Sequence, residues 1–447
     1  MPTAAILSQG NELVEGHLDD ANAPWIARQL TSIGFEVQQL RCVRDDLQLL
    51  ARTFHALAAE HDVVICTGGL GPTEDDLTAA AVAAAFKAPL WRCDDSLRAI
   101  EARYAARGRS MPEANRKQAM FPQGAEVLPN GQGTAPGFVI PPSVLAAATS
   151  PSPGAASAPT TGAAWLCCLP GVPHEMRAMF THGVLPRLQD HLCFLGLPGS
   201  PRPRVTFHTT GLGESEIQRR LGTWVGPGHL AYRCAPGRVS LTLAAAKQPL
   251  AAAKQPLEVA ASTIERALGP AVFAVERGVG TRPPLLAAVV GEALQSASAT
   301  LAVAESCTGG QLAALCTDVP GASGWFLGGV VSYHNDAKAA LLGVAPALIA
   351  AHGAVSEPVA RAMAEGARER FASTYSLALT GVAGPGGGTP HKPVGTVYLA
   401  LASPAATLHR RLQLGGDRAT IQQHAAHAAL DLLRRELRHL PLDPSTS

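Results

Sequence analysis

Leu301-Ala302-Val303-Ala304-Glu305-Ser306-Cys307-Thr308-Gly309-Gly310 carries an apolar run into three small nucleophile-type side chains and two glycines. A helical pattern follows over Gln311 to Cys316. The stretch therefore predicts a strand, a sharp turn and a helix start. Backbone N–H groups at such a turn can bind an anion or an oxyanion. A serine held there can attack a carbonyl once a base lies nearby.

Working outward, Pro283-Pro284 opens this domain and Leu285 to Ser296 reads as a helix. Downstream, Gly329 to Tyr333 reads as a strand and Asp336 to Leu342 as the start of a helix. Ser356 precedes a helix to Phe371, and Ser376 to Thr380 is a strand entering a glycine-rich loop, Gly381 to Thr389. Val394 to Ala402 and Thr407 to Leu414 read as an antiparallel pair, and Asp417 caps a final helix.

Four polar residues fall at strand ends or helix starts: Ser306, Tyr333, Lys338 and Arg418. Lys338 can act as the base if desolvation keeps its amine neutral. Tyr333 can relay or hold the proton. The N–H groups of Thr308 and Gly309 are natural oxyanion donors. Gly384, Gly386 and Gly387 let a loop lie against a flat ring or a phosphate, and Arg418 suits a bidentate phosphate contact. Plainer readings stand beside these. Ser306 can be a helix N-cap, Cys307 a buried apolar residue or the nucleophile itself, and Lys338 a solvated surface residue. Glu305 is either a turn carboxylate or a group that orients a substrate amide.

The first 170 residues alternate strand and helix patterns, which implies a mainly parallel sheet with ligands beyond its carboxyl ends. Gly10-Asn11-Glu12 and the loop Gly68-Gly69-Leu70-Gly71-Pro72-Thr73-Glu74-Asp75-Asp76 fall there. Glu12, Asp75 and Asp76 offer hard oxygen ligands for Mg²⁺ or a similar cation. Spacing alone favours the other reading, a polar loop whose carboxylates cap the next helix. Residues 141–164 are rich in Pro, Ser, Ala, Thr and Gly without charge and read as a disordered surface insertion. Residues 175–275 read as a small α+β module. Within it Leu243-Ala244-Ala245-Ala246-Lys247-Gln248-Pro249 recurs at 250–256, which reads as a duplication in a loop.

The 447 residues exceed one ordinary core. A net charge of +1 and 5% aromatic content give no footprint for nucleic acid. Nine cysteines without a CxxC pair fit a reducing compartment. The start of the chain lacks a basic, then apolar, leader, and no window suits a membrane span, so a soluble cytoplasmic protein is expected.

Ala304 to Gly310, Gly329 to Tyr333, Asn335 to Lys338, His352 to Glu357 and Thr380 to Gly387 resemble the CinA C-terminal domain. Gly10 to Leu13, Asn22, Thr67 to Thr78 and Leu169 to Met176 resemble the molybdopterin-binding-like domain of full-length CinA. Gly211 to Ile217 resembles its KH-like module. The resemblance implies a multidomain α/β chain. Its parts would be an N-terminal molybdopterin-binding-like sandwich (1–172), a KH-like α+β domain (173–278) and a C-terminal amidohydrolase domain (279–442). It implies hydrolysis of nicotinamide mononucleotide by Ser306, Tyr333 and Lys338 without a cofactor. It also implies cleavage of ADP-ribose in the N-terminal domain. There Asn22, Gly68, Gly69 and Gly71 would hold substrate, and Glu12, Asp75 and Asp76 would hold Mg²⁺ or Co²⁺, with K⁺ as a further candidate. Nicotinamide mononucleotide and ADP-ribose are the expected partners, with a homodimer and no nucleic acid or membrane. The alternative is a pterin or nucleotide-binding protein without turnover.

Overall fold

A computed structural model describes residues 1–149, 164–197, 199, 203–245, 250–278 and 283–441, with backbone alone for 146–149 and 250–254. The chain forms two compact units, Met1–Pro201 and Arg202–Ser447.

The first unit holds a six-stranded sheet. Its order is Glu36–Val43, Thr3–Gln9, Val63–Thr67, Trp165–Leu169, Gly137–Ile140 and Glu126–Leu128. The first four strands run parallel and the last two add antiparallel. Val63–Thr67 is buried at every position, as a strand covered on both faces must be. Leu50, Phe54 and Leu57 from the helix Leu47–Glu60 pack on one face. Ile26 and Leu30 from the helix Asn22–Ser32 pack on the other. The strand order reverses about Thr3–Gln9, which opens a crevice beyond the carboxyl ends.

Met176, Phe180, Leu188 and Leu192 also belong to this second core. The helical stretch from Pro173 to Phe194, which the sequence reading assigns to the middle module, is thus part of the first unit. Its amphipathic face needs the sheet, so the boundary falls after Pro201 rather than at 172. The insertion also begins with order: Pro142–Thr149 is a helix with Leu145 buried. The rest of that expectation, 150–163, lies outside the described residues.

The second unit carries two sheets. The first is antiparallel, ordered His229–Ala235, Arg238–Ala244, Arg204–Thr210 and Val272–Arg277. Helices Glu214–Leu221 and Leu250–Leu268 share its core through Ile217, Leu257, Ala261 and Ile264. The duplicated heptapeptide is not simply a loop. Leu243 and Ala244 end a strand, whereas 250–256 form the first turns of a helix that contains Pro256. Ala, Lys, Gln and Leu are strong helix formers, so the second copy takes the conformation its context offers.

The second sheet has the order Phe326–Val331, Leu301–Glu305, Tyr375–Gly381, Thr396–Ala402 and Thr407–Gln413. The first three strands are parallel, and Thr396–Ala402 runs antiparallel to Tyr375–Gly381 and to Thr407–Gln413; the last two are the antiparallel pair the sequence predicts. Helices Leu286–Ser296, Gln311–Thr317 and Arg418–Leu437 contribute to the core on one face. The helix Glu357–Phe371 covers the other through Val359, Ala360, Met363, Ala364 and Ala367, a period of three to four. Helix Asn335–Leu342 packs on it. A Cβ at Gly366 would run into the carbonyl of Leu342, so glycine sets that approach. Among the described residues no helix is long and apolar enough to cross a membrane.

Candidate active site and nucleotide crevice

Ser306 follows the last residue of the strand Leu301–Glu305, and its N–H donates to the Leu379 carbonyl of the neighbouring strand at 2.9 Å. Lys338 lies one turn into the helix Asn335–Leu342 and is 1% exposed. Its Nζ lies 3.0 Å from Ser306 Oγ, 2.8 Å from the Ser332 carbonyl oxygen and 3.3 Å from that of Tyr333. Burial pushes this amine below the ordinary lysine value. A neutral amine has two N–H donors and one lone pair. In its neutral form the amine would give its donors to the two carbonyls and keep its lone pair for the serine hydroxyl. That is the geometry of a general base on its nucleophile.

Cys307 is no rival. Its thiol belongs to the apolar core, and burial pushes it up to about 12. A thiol that stays protonated is a poor nucleophile. Its carbonyl accepts a hydrogen bond from Gln422 Nε2 at 2.8 Å, a tie to the last helix that the sequence reading did not include.

Three expectations need correction. Glu305 does not face a substrate. It is fully buried, and its carboxylate accepts from the N–H groups of Gly310 (3.0 Å), Leu312 (3.0 Å) and Ala313 (2.8 Å). It caps the helix after the nucleophile from the strand before it, with the favourable end of the helix dipole. Gly309 is not an open oxyanion donor, because its N–H donates to the Ser306 carbonyl at 3.2 Å. The Thr308 N–H has no partner among the described residues, and its buried Oγ1 is unpaired. Tyr333 is not joined to the serine through its phenol. Its hydroxyl accepts from Arg418 Nη2 at 2.7 Å, and it holds Lys338 through its backbone carbonyl.

Arg418 opens the helix Arg418–Leu437, capped by Asp417, whose carboxylate accepts from Thr420 N–H at 2.8 Å. Its Nη1 donates to the Gly384 carbonyl at 2.8 Å. Gly384 has φ +81°, and a Cβ there would come within 2.7 Å of Val394. Gly386 and Gly387 continue the loop, exposed. Arg418 thus clasps Tyr333 and the glycine loop beside the serine–lysine pair.

Glu305→Ala strips three N–H groups of their acceptor at one helix start. A loss of about 2–3 kcal/mol in stability is expected by denaturant titration. Glu305→Gln, which keeps one acceptor oxygen, should recover part of it; equal stability of the Ala variant and the parent would disprove the capping role.

In the first unit Gly68 and Gly69 adopt φ +104° and +65°. A Cβ on either would collide with Gln9, and one on Gly71 with the Asp76 carboxylate. Gln9 Nε2 donates to Asp45 Oδ1 at 2.9 Å, and its Oε1 accepts from Thr78 Oγ1 at 2.5 Å. Asn22 Nδ2 donates to Thr67 Oγ1 (3.0 Å) and the Gly171 carbonyl (2.7 Å), while its buried Oδ1 has no partner. The expected metal trio is not assembled. Asp76 accepts from Thr73 N–H at 2.8 Å, Glu12 and Asp75 are exposed, and the described residues contain no metal-holding group of three or more His, Cys, Asp or Glu. Nor do these acids cap the next helix, whose N-cap is Leu77 without a side-chain bond. Sequence reasoning missed Gln9, Asp20, Asp45 and Thr78. Asp20 accepts from Ser8 Oγ at 2.6 Å and from Asn22 N–H at 2.9 Å. A polar pair, Ser8-Gln9, ending an apolar strand was the available signal.

Residues 285–437 match the CinA C-terminal domain, and residues 5–190 match a probable molybdopterin binding domain. A CinA-like protein of Frankia casuarinae is 40% identical over 457 residues, 99% of this chain and 98% of that protein. The chain belongs to the CinA family. A second CinA-like protein, from a Synechococcus species, is 40% identical over 438 residues and covers 97% of each chain. Among solved structures, competence damage-inducible protein A of Klebsiella pneumoniae shares 35% identity. It covers 35% of this chain and 97% of its own, with a TM-score of 0.34. The molybdopterin-type match spans nearly all of the six-stranded sheet, and the CinA match contains Ser306, Lys338 and Arg418.

Proposed function

We propose that the second unit hydrolyses the carboxamide of nicotinamide mononucleotide to nicotinate mononucleotide and ammonia. The observation that carries this reading is the buried 3.0 Å approach of Lys338 Nζ to Ser306 Oγ; the family resemblance supplies the substrate. Ser306 Oγ bonds to the amide carbon as its proton passes to Lys338. The oxyanion is received by the Thr308 N–H. Collapse breaks the C–N bond, and the leaving nitrogen takes the proton from Lys338 to depart as ammonia. Water then attacks the Ser306 ester while Lys338 accepts its proton. That proton returns to Ser306 Oγ as the carboxylic acid leaves, and the acid gives its remaining proton to solvent to become the carboxylate. Arg418, already aimed at Tyr333 and Gly384, is the group that would take the substrate phosphate.

The test is ammonia release from nicotinamide mononucleotide. The parent should release one ammonia per nicotinate mononucleotide formed, and Ser306→Ala none; full rate in the variant sinks the mechanism.

For the first unit the favoured reading is a nucleotide-binding crevice with the unpaired Asn22 Oδ1 as acceptor. ADP-ribose is the ligand to test. Among the described residues Glu12, Asp75 and Asp76 form no preassembled cation site, so no cleavage step is derived. Equilibrium dialysis of ADP-ribose should show binding that Asn22→Leu weakens; unaltered binding in that variant counts against the crevice.

A further inference from the structure

Within the second unit a cavity of about 400 Å³ lies between the antiparallel sheet and the last helix. Its walls are largely apolar: Leu212, Val239, Leu412, Leu414 and Ala428. A smaller cavity of about 240 Å³ adjoins the same helix through Gln423, His427 and Leu430. Arg238 lines both.

Arg238 is half-buried, yet its guanidinium makes no hydrogen bond or ion pair with any described residue. Burial lowers its pKa, and the neighbouring charge that acts on it is Arg233, of like sign. The acids in the larger cavity are engaged elsewhere. Asp431 holds Arg434 and Arg435, and Glu214 accepts from the Cys234 thiol at 3.1 Å. Asp318 lines the smaller cavity without an ion pair to Arg238. A guanidinium partly withdrawn from water and left unpaired carries a cost that an anion relieves. The volume falls in the range of ordinary small-molecule sites.

We propose that the cavity beside Arg238 is a second ligand site, for a small molecule that carries a phosphate or carboxylate on an apolar or heteroaromatic body no larger than a mononucleotide. Arg238 binds the anion, and the leucine and valine walls take the body. The helix that forms one wall is the helix that begins at Arg418 and sends Gln422 to the Cys307 carbonyl. A ligand there would press on an element that also touches the nucleophile's turn. The site does not depend on which amide the serine hydrolyses.

The test is thermal unfolding of the full chain at constant ionic strength, with adenosine monophosphate, nicotinate or inorganic phosphate added. Adenosine monophosphate or nicotinate should raise the Tm of the parent, and which of them acts identifies the anion. Arg238→Gln should weaken that binding at least about tenfold while leaving amide hydrolysis unchanged. Ala428→Leu, which fills the cavity and keeps the charge, should weaken it as well. Binding at the serine site or the crevice would shift all three proteins alike. Equal shifts in the parent and both variants overturn the proposal. A full shift from inorganic phosphate alone overturns the apolar-body requirement.

Discussion

Lys338→Met is expected to cut amide hydrolysis by roughly 10³-fold, within the range that a positioned base contributes. The residue is 1% exposed, and a methionine of similar length fills its channel without a buried amine. Stability should therefore hold or rise while activity falls, which separates a chemical loss from a folding one. The pH profile gives an independent reading. The reaction needs the neutral amine, and burial lowers its pKa. The rate should thus fall as pH drops through that lowered value, and the midpoint should lie below that of an ordinary lysine. In Lys338→Met the residual rate should lose this limb. A parent profile that stays flat down to the range where carboxylates titrate would refute the assignment.

The second large effect concerns stability. Asp431 Oδ1 accepts from Arg434 Nε (2.9 Å) and Nη2 (2.6 Å), and Oδ2 from Arg435 Nε (2.7 Å). All three side chains are almost fully buried. Arg434 Nη2 also donates to the Pro270 carbonyl at 2.5 Å, so the cluster ties the last helix to the antiparallel module. Asp431→Ala leaves two guanidinium groups in the interior with no counter-charge. Breaking such a set costs about 3–5 kcal/mol. For a unit of this size that lowers Tm by roughly 10 °C. A drop within about 1 °C by calorimetry would show that water or the carbonyls alone carry the charge.

Much of the architecture was legible because it rests on local rules. The apolar run at Leu301 to Ala304, the glycines after it and the capping aspartate at 417 each specify their element within a few residues. Ser306 and Lys338 were legible for the same reason, since each sits at the end or start of an element. What escaped depends on contacts between distant segments. Glu305 reads as a site residue until the helix beyond the turn comes back over it and consumes both oxygens. The phenol of Tyr333 reads as a proton relay until Arg418, 85 residues later, claims it. Asp75 and Asp76 resemble a metal site by type. Type says nothing of Thr73, which occupies one of them by a turn of three residues. The boundary after Pro201 could not be read from texture, because a helical pattern does not name the sheet it covers.

Gly366 carries no functional group and touches neither nucleophile nor base. Yet the absence of one methyl group there fixes how near the helix bearing Lys338 can settle. Proton transfer falls off steeply with donor–acceptor separation, so a few tenths of an ångström at this remote crossing become a change in turnover. A side chain at position 366 would press on backbone, so it would move the helix bearing Lys338 and strain the packing at the same time.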